Sequence, residues 1–216
     1  MQYLIFDIET VPLADLNAAL EKEAAKRTAR ELEKGLLEPA EAESLVRSVS
    51  PFLGRILAIG MRLYNPADSG VKDKVICEET EQATLETFLE TINHSASQDM
   101  RFVHYNGLGF DIPFILNRAA ILGLPIRNRR FTDLRKFRFD PHIDIMQFLG
   151  HWNMRDTVSL DVACHSFGIP SPKEGEVTGE SVATAYAAGN LQAVSDYVMR
   201  DVEATYQLFL RIRDYL

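Results

Sequence analysis

Four carboxylates stand inside segments that otherwise read as protein core: Asp7 and Glu9 in YLIFDIETV, Asp111 in HYNGLGFDIPF, and Asp201 in SDYVMRDVEATYQLF. Read as a strand, the first segment changes face at every residue, so Asp7 and Glu9 share one face roughly 6.6 Å apart while Leu4, Phe6 and Ile8 share the other. A like-charged neighbour and poor hydration both disfavour ionisation, so the pair needs protons or a positive partner at neutral pH. Read as a helix, residues 190–215 carry an apolar stripe through Leu191, Val194, Val198, Val202, Leu208, Phe209 and Ile212. Asp201 falls on that stripe, with Tyr197 one turn earlier. Neither Tyr197 nor Thr205 can neutralise it, and an unpaired buried carboxylate would cost several kcal/mol or take up a proton. A cation shared with Asp7 and Glu9 removes the difficulty, and converging carboxylate oxygens suit Mg²⁺ or Mn²⁺.

At 216 residues, with 46% hydrophobic and 25% charged content, the chain is long enough for one large core, and a single domain over 1–216 is expected. The net charge of -8 argues against binding nucleic acid by overall attraction, although cations held by the acids would offset part of it locally. Cys77 and Cys164 are too few for a disulfide framework or a zinc site, which fits a reducing cytoplasm. No apolar run reaches membrane-spanning length, and the first one holds two acids and no basic leader, so neither signal peptide, anchor nor membrane partner is expected. Strands are expected at 1–9, 55–64, 74–79, 101–106 and 142–149, and helices at 81–94, 111–123, 158–167, 179–188 and 190–215. That pattern predicts an α/β fold, a mixed sheet covered by helices. Residues 14–50, rich in Ala, Glu, Lys, Leu and Arg, form an insertion after the first strand: a solvated helical pair broken near Gly35 and Pro39, with a lid or a dimer contact as the alternatives.

The turn NGLGFD has the look of a dinucleotide-binding loop, but Ile112 stands where a third glycine belongs and the preceding strand is not the first, so that reading is rejected. Asp111 alone, at a helix start, would be a first-turn acid answering the helix dipole. The acids nevertheless arrive in a fixed order. Asp7-Ile8-Glu9 is D-x-E, Asn106 through Asp111 is N-x-x-x-F-D, and Tyr197 through Asp201 is Y-x-x-x-D. In this the chain resembles the DEDD exonucleases, DnaQ-like enzymes, in their tyrosine branch. The histidine branch has His five residues before the last Asp, and this chain has Asp196 there. With SLDVACHSFGIPSPKEG and GESVATAYAAGN preceding the last motif, it looks like the stand-alone predicted 3′-5′ exonucleases related to the proofreading domain of family-B DNA polymerases.

The resemblance implies a ribonuclease H-like fold and phosphodiester hydrolysis with two Mg²⁺ or Mn²⁺ ions per site. It implies that Asp7 bridges both ions, that Glu9 and Asp201 hold the ion carrying the attacking water, and that Asp111 serves the second ion partly through water. Tyr197, with an ordinary pKa of about 10, would orient that water more readily than act as a strong base. Contacts to nucleic acid are implied at Thr10, Asn106 and Phe110. The expected substrate is the 3′ end of single-stranded DNA, with RNA ends as the alternative. A binding-only member and a protein using the acids as a structural cation site are the competing classes. Retention of Tyr197 weighs against the former, and a closed, waterless coordination shell would mark the latter.

One basic stretch stands out on the acidic chain: PIRNRRFTDLRKFRFDPH sets Arg127, Arg129, Arg130, Arg135, Lys136 and Arg138 against Asp133 and Asp140, with Phe131, Phe137 and Phe139 interleaved. Its arginines, Arg127, Arg129 and Arg130 first, are candidates for phosphate contacts, and an exposed ring could stack a base. The competing reading is a solvated loop with its phenylalanines in the core. His151, Trp152 and Lys173 are further candidates, and His142 with Asp144 is read as lining a strand beside the site.

Overall fold

The computed structural model describes residues 2–67, 70–94, 97–173, 182, 184–186 and 188–216. Its centre is a five-stranded sheet of β1 (Tyr3–Pro12), β2 (Gly54–Asn65), β3 (Gly70–Ile76), β4 (Arg101–His104) and β5 (His142–Asp144), in the order β3-β2-β1-β4-β5. The pairs β1–β2 and β2–β3 are antiparallel, whereas β1–β4 and β4–β5 are parallel, so the sheet is mixed as expected.

Alternation along β1 divides the core. Leu4, Phe6 and Ile8 pack under α3 (Glu81–Asn93) and α4 (Asp111–Ile121), against Phe88, Leu89, Ile112 and Ile115. Ile5 points the other way, toward α5 (Ile145–Leu149), α6 (Leu160–Phe167) and α7 (Leu191–Ile212), where it meets Cys164, Val202 and Phe209. The insertion forms α1 (Ala18–Leu32) and α2 (Pro39–Ser48), which close a small core of Ala24, Val46 and Leu53. Gly35, at φ 68, lies in the turn between them, and Pro39 opens α2.

The structure departs from the sequence expectations in three places. The stretch 142–149 is a strand only through Asp144 and is helical from Ile145, because the Asp144 side chain caps that helix by accepting from Gln147 N at 3.3 Å. The third strand begins at Gly70 and ends at Ile76, not 74–79; it is a sheet edge whose first five residues are exposed, so it needs no apolar pattern. Leu191 is the first residue of α7 and is 46% exposed, since the helix meets the sheet only from Val194 onward. Half of the helix expected over 179–188 lies outside the described residues, and within it Val182 and residues 184–186 are helical.

Candidate active site

The acids converge because three elements end or cross at one place. In β1, Asp7 and Glu9 follow Ile5 on the face toward α7, and the strand's pairing with β2 shifts register between Glu9 and Thr10. Such a bulge re-aims side chains locally. Opposite Asp7 on β2 stands Gly60, and a Cβ there would come within 2.9 Å of Val198 and 3.1 Å of Val202. Glycine therefore lets α7 settle directly on the sheet, which carries Asp201 to Asp7. Farther along, Arg62 of β2 pairs with Asp73 of β3 at 2.6 Å and with Glu203 of α7, fixing the helix to the strands beneath it.

Carboxylate oxygens of Asp7, Glu9 and Asp201 all lie within 4.8 Å of one another. Asp111, fully enclosed at the start of α4, turns back toward β1 and accepts a hydrogen bond from Ile8 N at 3.2 Å. The β1–β4 pairing extends only as far as Ile5 and Val103, which leaves the Ile8 N–H for that carboxylate. Asp111 is thus engaged across the sheet and is no mere first-turn acid.

The electrostatics follow from crowding. Poor hydration, then Asp111, Asp201 and Glu9 in turn, push the Asp7 carboxyl well above the ordinary range, and burial with Asp201 and Asp111 does the same to Glu9. Burial pushes Asp201 up to about 7 despite Arg200 and Lys173, and Asp111 up to about 6 despite His104. Tyr197 lies one turn before Asp201; burial and the charges of Asp201, Glu9 and Asp7 raise its hydroxyl pKa, so it stays protonated at neutral pH. A donor set of hard carboxylate oxygens, each destabilised in its charged form despite the nearby Arg200, Lys173 and His104, fits a divalent metal.

Beside the cluster, the 106–111 turn hangs from Asp144. That carboxylate, wholly buried, accepts from Asn106 N at 3.1 Å and Leu108 N at 3.0 Å besides Gln147 N. Burial alone would raise its pKa, but His104 and the N–H donors outweigh burial and hold it below the usual carboxylate range. Gly107 N reaches His104 Nδ1 at 3.1 Å, and a Cβ at Gly107 would strike the His104 ring at 2.3 Å. His142 Nε2 meets the Phe131 carbonyl at 3.0 Å; a carbonyl only accepts, so that nitrogen carries the hydrogen and Nδ1 receives one from His104 Nε2 at 3.3 Å. His142 is neutral, pushed down to about 3 by burial and His104.

Of the other candidates, Thr10 follows Glu9 across the bulge, Asn106, at a left-handed φ of 63, begins the turn that leads to Asp111, and Phe110 directly precedes Asp111 with its ring 5.6 Å from Phe114. The basic segment is divided. Arg127 N bonds Asn93 at the end of α3, and Arg130 holds Asp140 and the carbonyl of Met100 just before β4. Since β4 runs parallel to β1 from Tyr3 upward, Arg127, Arg129 and Arg130 lie at the opposite end of the sheet from Glu9. Phe131 is core, whereas Phe137 is exposed. Sequence reasoning missed Gly60 and understated Asp144. A glycine within an apolar strand signals close approach, but nothing in the sequence says what approaches.

Among solved structures, the chain is similar to the family B DNA polymerase of the hyperthermophilic archaeon Pyrobaculum calidifontis, with a TM-score of 0.62 and 18% identity over 99% of this chain and 25% of that one. At that identity the likeness speaks for the fold, here the ribonuclease H-like one, and the chain spans about a quarter of the polymerase's length. A family described as "predicted 3′-5′ exonuclease related to the exonuclease domain of PolB" matches residues 52–215. The match takes in Asp111, Tyr197 and Asp201, and the sheet brings Asp7 and Glu9, which precede it, to the same cluster. With more than half of its length matched, the chain belongs to this family of predicted 3′-5′ exonuclease enzymes.

Proposed function

We propose that the chain is a metal-dependent 3′-5′ exonuclease that removes nucleotides from single-stranded DNA, with residues 1–216 forming one exonuclease domain. The observation that carries this is the gathering of Asp7, Glu9 and Asp201 within 4.8 Å, backed by Asp111 and overlooked by Tyr197. Asp7, Glu9, Asp111 and Asp201 would together hold two Mg²⁺ or Mn²⁺ ions. Bound there, such ions make a water nucleophilic near neutral pH and steady the leaving oxygen of an in-line displacement.

The chain's own groups do the rest. Tyr197, protonated, orients the attacking water through its hydroxyl and is no base. Thr10, next to Glu9, and Asn106 and Phe110, in the turn that leads to Asp111, would seat the terminal nucleotide. The free thiols Cys77 and Cys164 fit a cytoplasmic setting, and no helix among the described residues is long and apolar enough to cross a membrane.

The test is digestion of 5′-labelled and 3′-labelled single-stranded DNA and RNA with Mg²⁺, Mn²⁺ or EDTA. The expected result is stepwise shortening of the 5′-labelled DNA and immediate release of the 3′ label, only with metal. Binding without shortening would make this a binding-only member, and faster loss of RNA would overturn the choice of DNA.

A further inference from the structure

The aromatic residues of the basic segment separate on folding. Phe131 is buried among Phe6, Phe88 and Phe102, but Phe137 is 74% exposed. The Phe137 ring lies 5.3 Å from that of Trp152, Trp152 lies 5.6 Å from Phe139, and Phe139 lies 5.6 Å from Phe148 at the margin of the core. These rings make a ladder rooted in the fold and open to water at Phe137.

Backbone conformation sets this patch apart as well. Phe137 (φ 62), His151 (φ 49) and Trp152 (φ 61) occupy the left-handed region, which strains any residue bearing a Cβ. Among the described residues the remaining non-glycine case is Asn106, at the candidate active site. Strain of this kind clusters at functional sites, and here it holds a large apolar ring in solvent instead of burying it.

Charge completes the pattern. Lys136 and Arg138 flank Phe137, and Arg155 follows Trp152 in the same loop; all three are exposed and, among the described residues, make no ion pair. The acids nearby are engaged: Asp133 by Arg135, Asp140 by Arg101 and Arg130, Asp156 by Asn153. Exposed rings on a rigid base, bordered by uncommitted cations, suit unpaired bases joined by phosphates.

We propose that the Phe137–Trp152 ladder, with Lys136, Arg138 and Arg155, is a stacking platform for single-stranded DNA upstream of the nucleotide being removed. The proposal rests on the exonuclease reading. Continuity with the site comes through the loop after α5: Val158 O accepts from Tyr105 Oη at 2.8 Å, and Met154 touches the side chain of Gln147, whose N–H binds Asp144. The same carboxylate holds the 106–108 turn.

Trp152 is the chain's single tryptophan and therefore reports on the platform directly. Titrating the full chain in EDTA with oligo(dT) should quench its fluorescence and show binding about tenfold tighter than to an abasic oligomer of equal length, within the range of base–aromatic stacking. Phe137→Ala should remove that advantage without changing affinity for the abasic oligomer, and Phe137→Tyr should keep it. Because Phe137 is exposed, these changes leave the fold intact. Absence of quenching, or equal affinity of the Phe137→Ala variant and the unmodified chain for oligo(dT), overturns the platform. Hydrolysis of a dinucleotide by the Phe137→Ala variant and the unmodified chain is read in parallel with metal. Failure of the exonuclease reading abolishes that hydrolysis, whereas failure of the platform leaves it intact and removes the quenching.

Discussion

Asp144 and Asp7 belong to the same sheet, the first wholly buried and the second half-buried, and their settings are opposite. Asp144 receives the backbone N–H groups of Asn106, Leu108 and Gln147 and lies 3.4 Å from His104 Nδ1, so its carboxyl sits below the ordinary range. Asp7 is poorly hydrated and crowded by Asp111, Asp201 and Glu9, and its carboxyl is pushed far up. The first acid is satisfied by the protein; the second is crowded by three other carboxylates. A buried acid with its own donors builds structure, and a half-buried acid crowded by other carboxylates marks where a ligand can supply the missing charge.

The sharpest way to break this contrast is to remove each acid in turn. Asp7→Ala should abolish hydrolysis while the chain stays folded, melting in EDTA no lower than the parent, because a metal ligand is lost and like-charge crowding is relieved. Asp144→Ala should do the reverse and destabilise the fold by about 2–4 kcal/mol in urea unfolding, since buried N–H donors lose their acceptor. Wild-type turnover by the first variant, or undiminished stability of the second, would break the comparison. Next in size, Tyr197→Phe should cut turnover by about one to three orders of magnitude with metal affinity unchanged, the range of one water-orienting or proton-handling group. An unchanged rate would return Tyr197 to the core.

A smaller effect sharpens the contrast through pH. A carboxyl whose pKa is raised on folding contributes stability in full only below its unfolded pKa, and loses that contribution as pH rises through the folded value. With Asp111 up to about 6 and Asp201 up to about 7, the metal-free chain should melt several degrees lower at about pH 8 than at about pH 5. Mg²⁺ or Mn²⁺ should recover most of that loss at the higher pH and do little at the lower one, as followed by thermal melts. A flat profile, unaffected by metal, would mean that the acids are already satisfied. The smallest effect concerns cations remote from both acids. If Arg127, Arg129 and Arg130 hold backbone phosphates, changing all three to Ala should raise KM more than it lowers kcat and flatten the salt dependence by about 0.7 in log-log slope per lost contact. An equal slope would show those arginines to be merely solvated.

The sequence disclosed the acids well because a charge within an apolar run is conspicuous whatever the fold, and alternation alone put Asp7 and Glu9 on one face. The helices α3, α4, α6 and α7 were legible for the same reason, having one apolar side each. What stayed hidden depends on contacts distant in sequence. Asp144 is the strand residue it was read as, but its hold on the turn stayed hidden because its partners lie 38 and 36 positions away, at Asn106 and Leu108. Gly60 carried no hint that Val198 would rest upon it. The basic segment read as one surface, but Asp140, by pairing with Arg130 and Arg101, ties its first half to the far end of the sheet.

The insertion between β1 and β2 leaves the two strands zipped to their last pair, Pro12 with Gly54, and Leu13 N still reaches Leu53 O at 2.9 Å. The chain departs and returns at one point, so these residues are topologically a hairpin loop, and a longer loop costs little extra entropy once its ends are joined. The base is clamped from the sheet side, where the buried pair of Arg118 with Glu81 also grips the carbonyl of Pro51 and the N–H of Ile56. Such a stem is a natural graft point. Segments of other lengths, or a short turn, can be exchanged there while the strand bearing Asp7 and Glu9 keeps its register, so the inserted arm can vary independently of the acids.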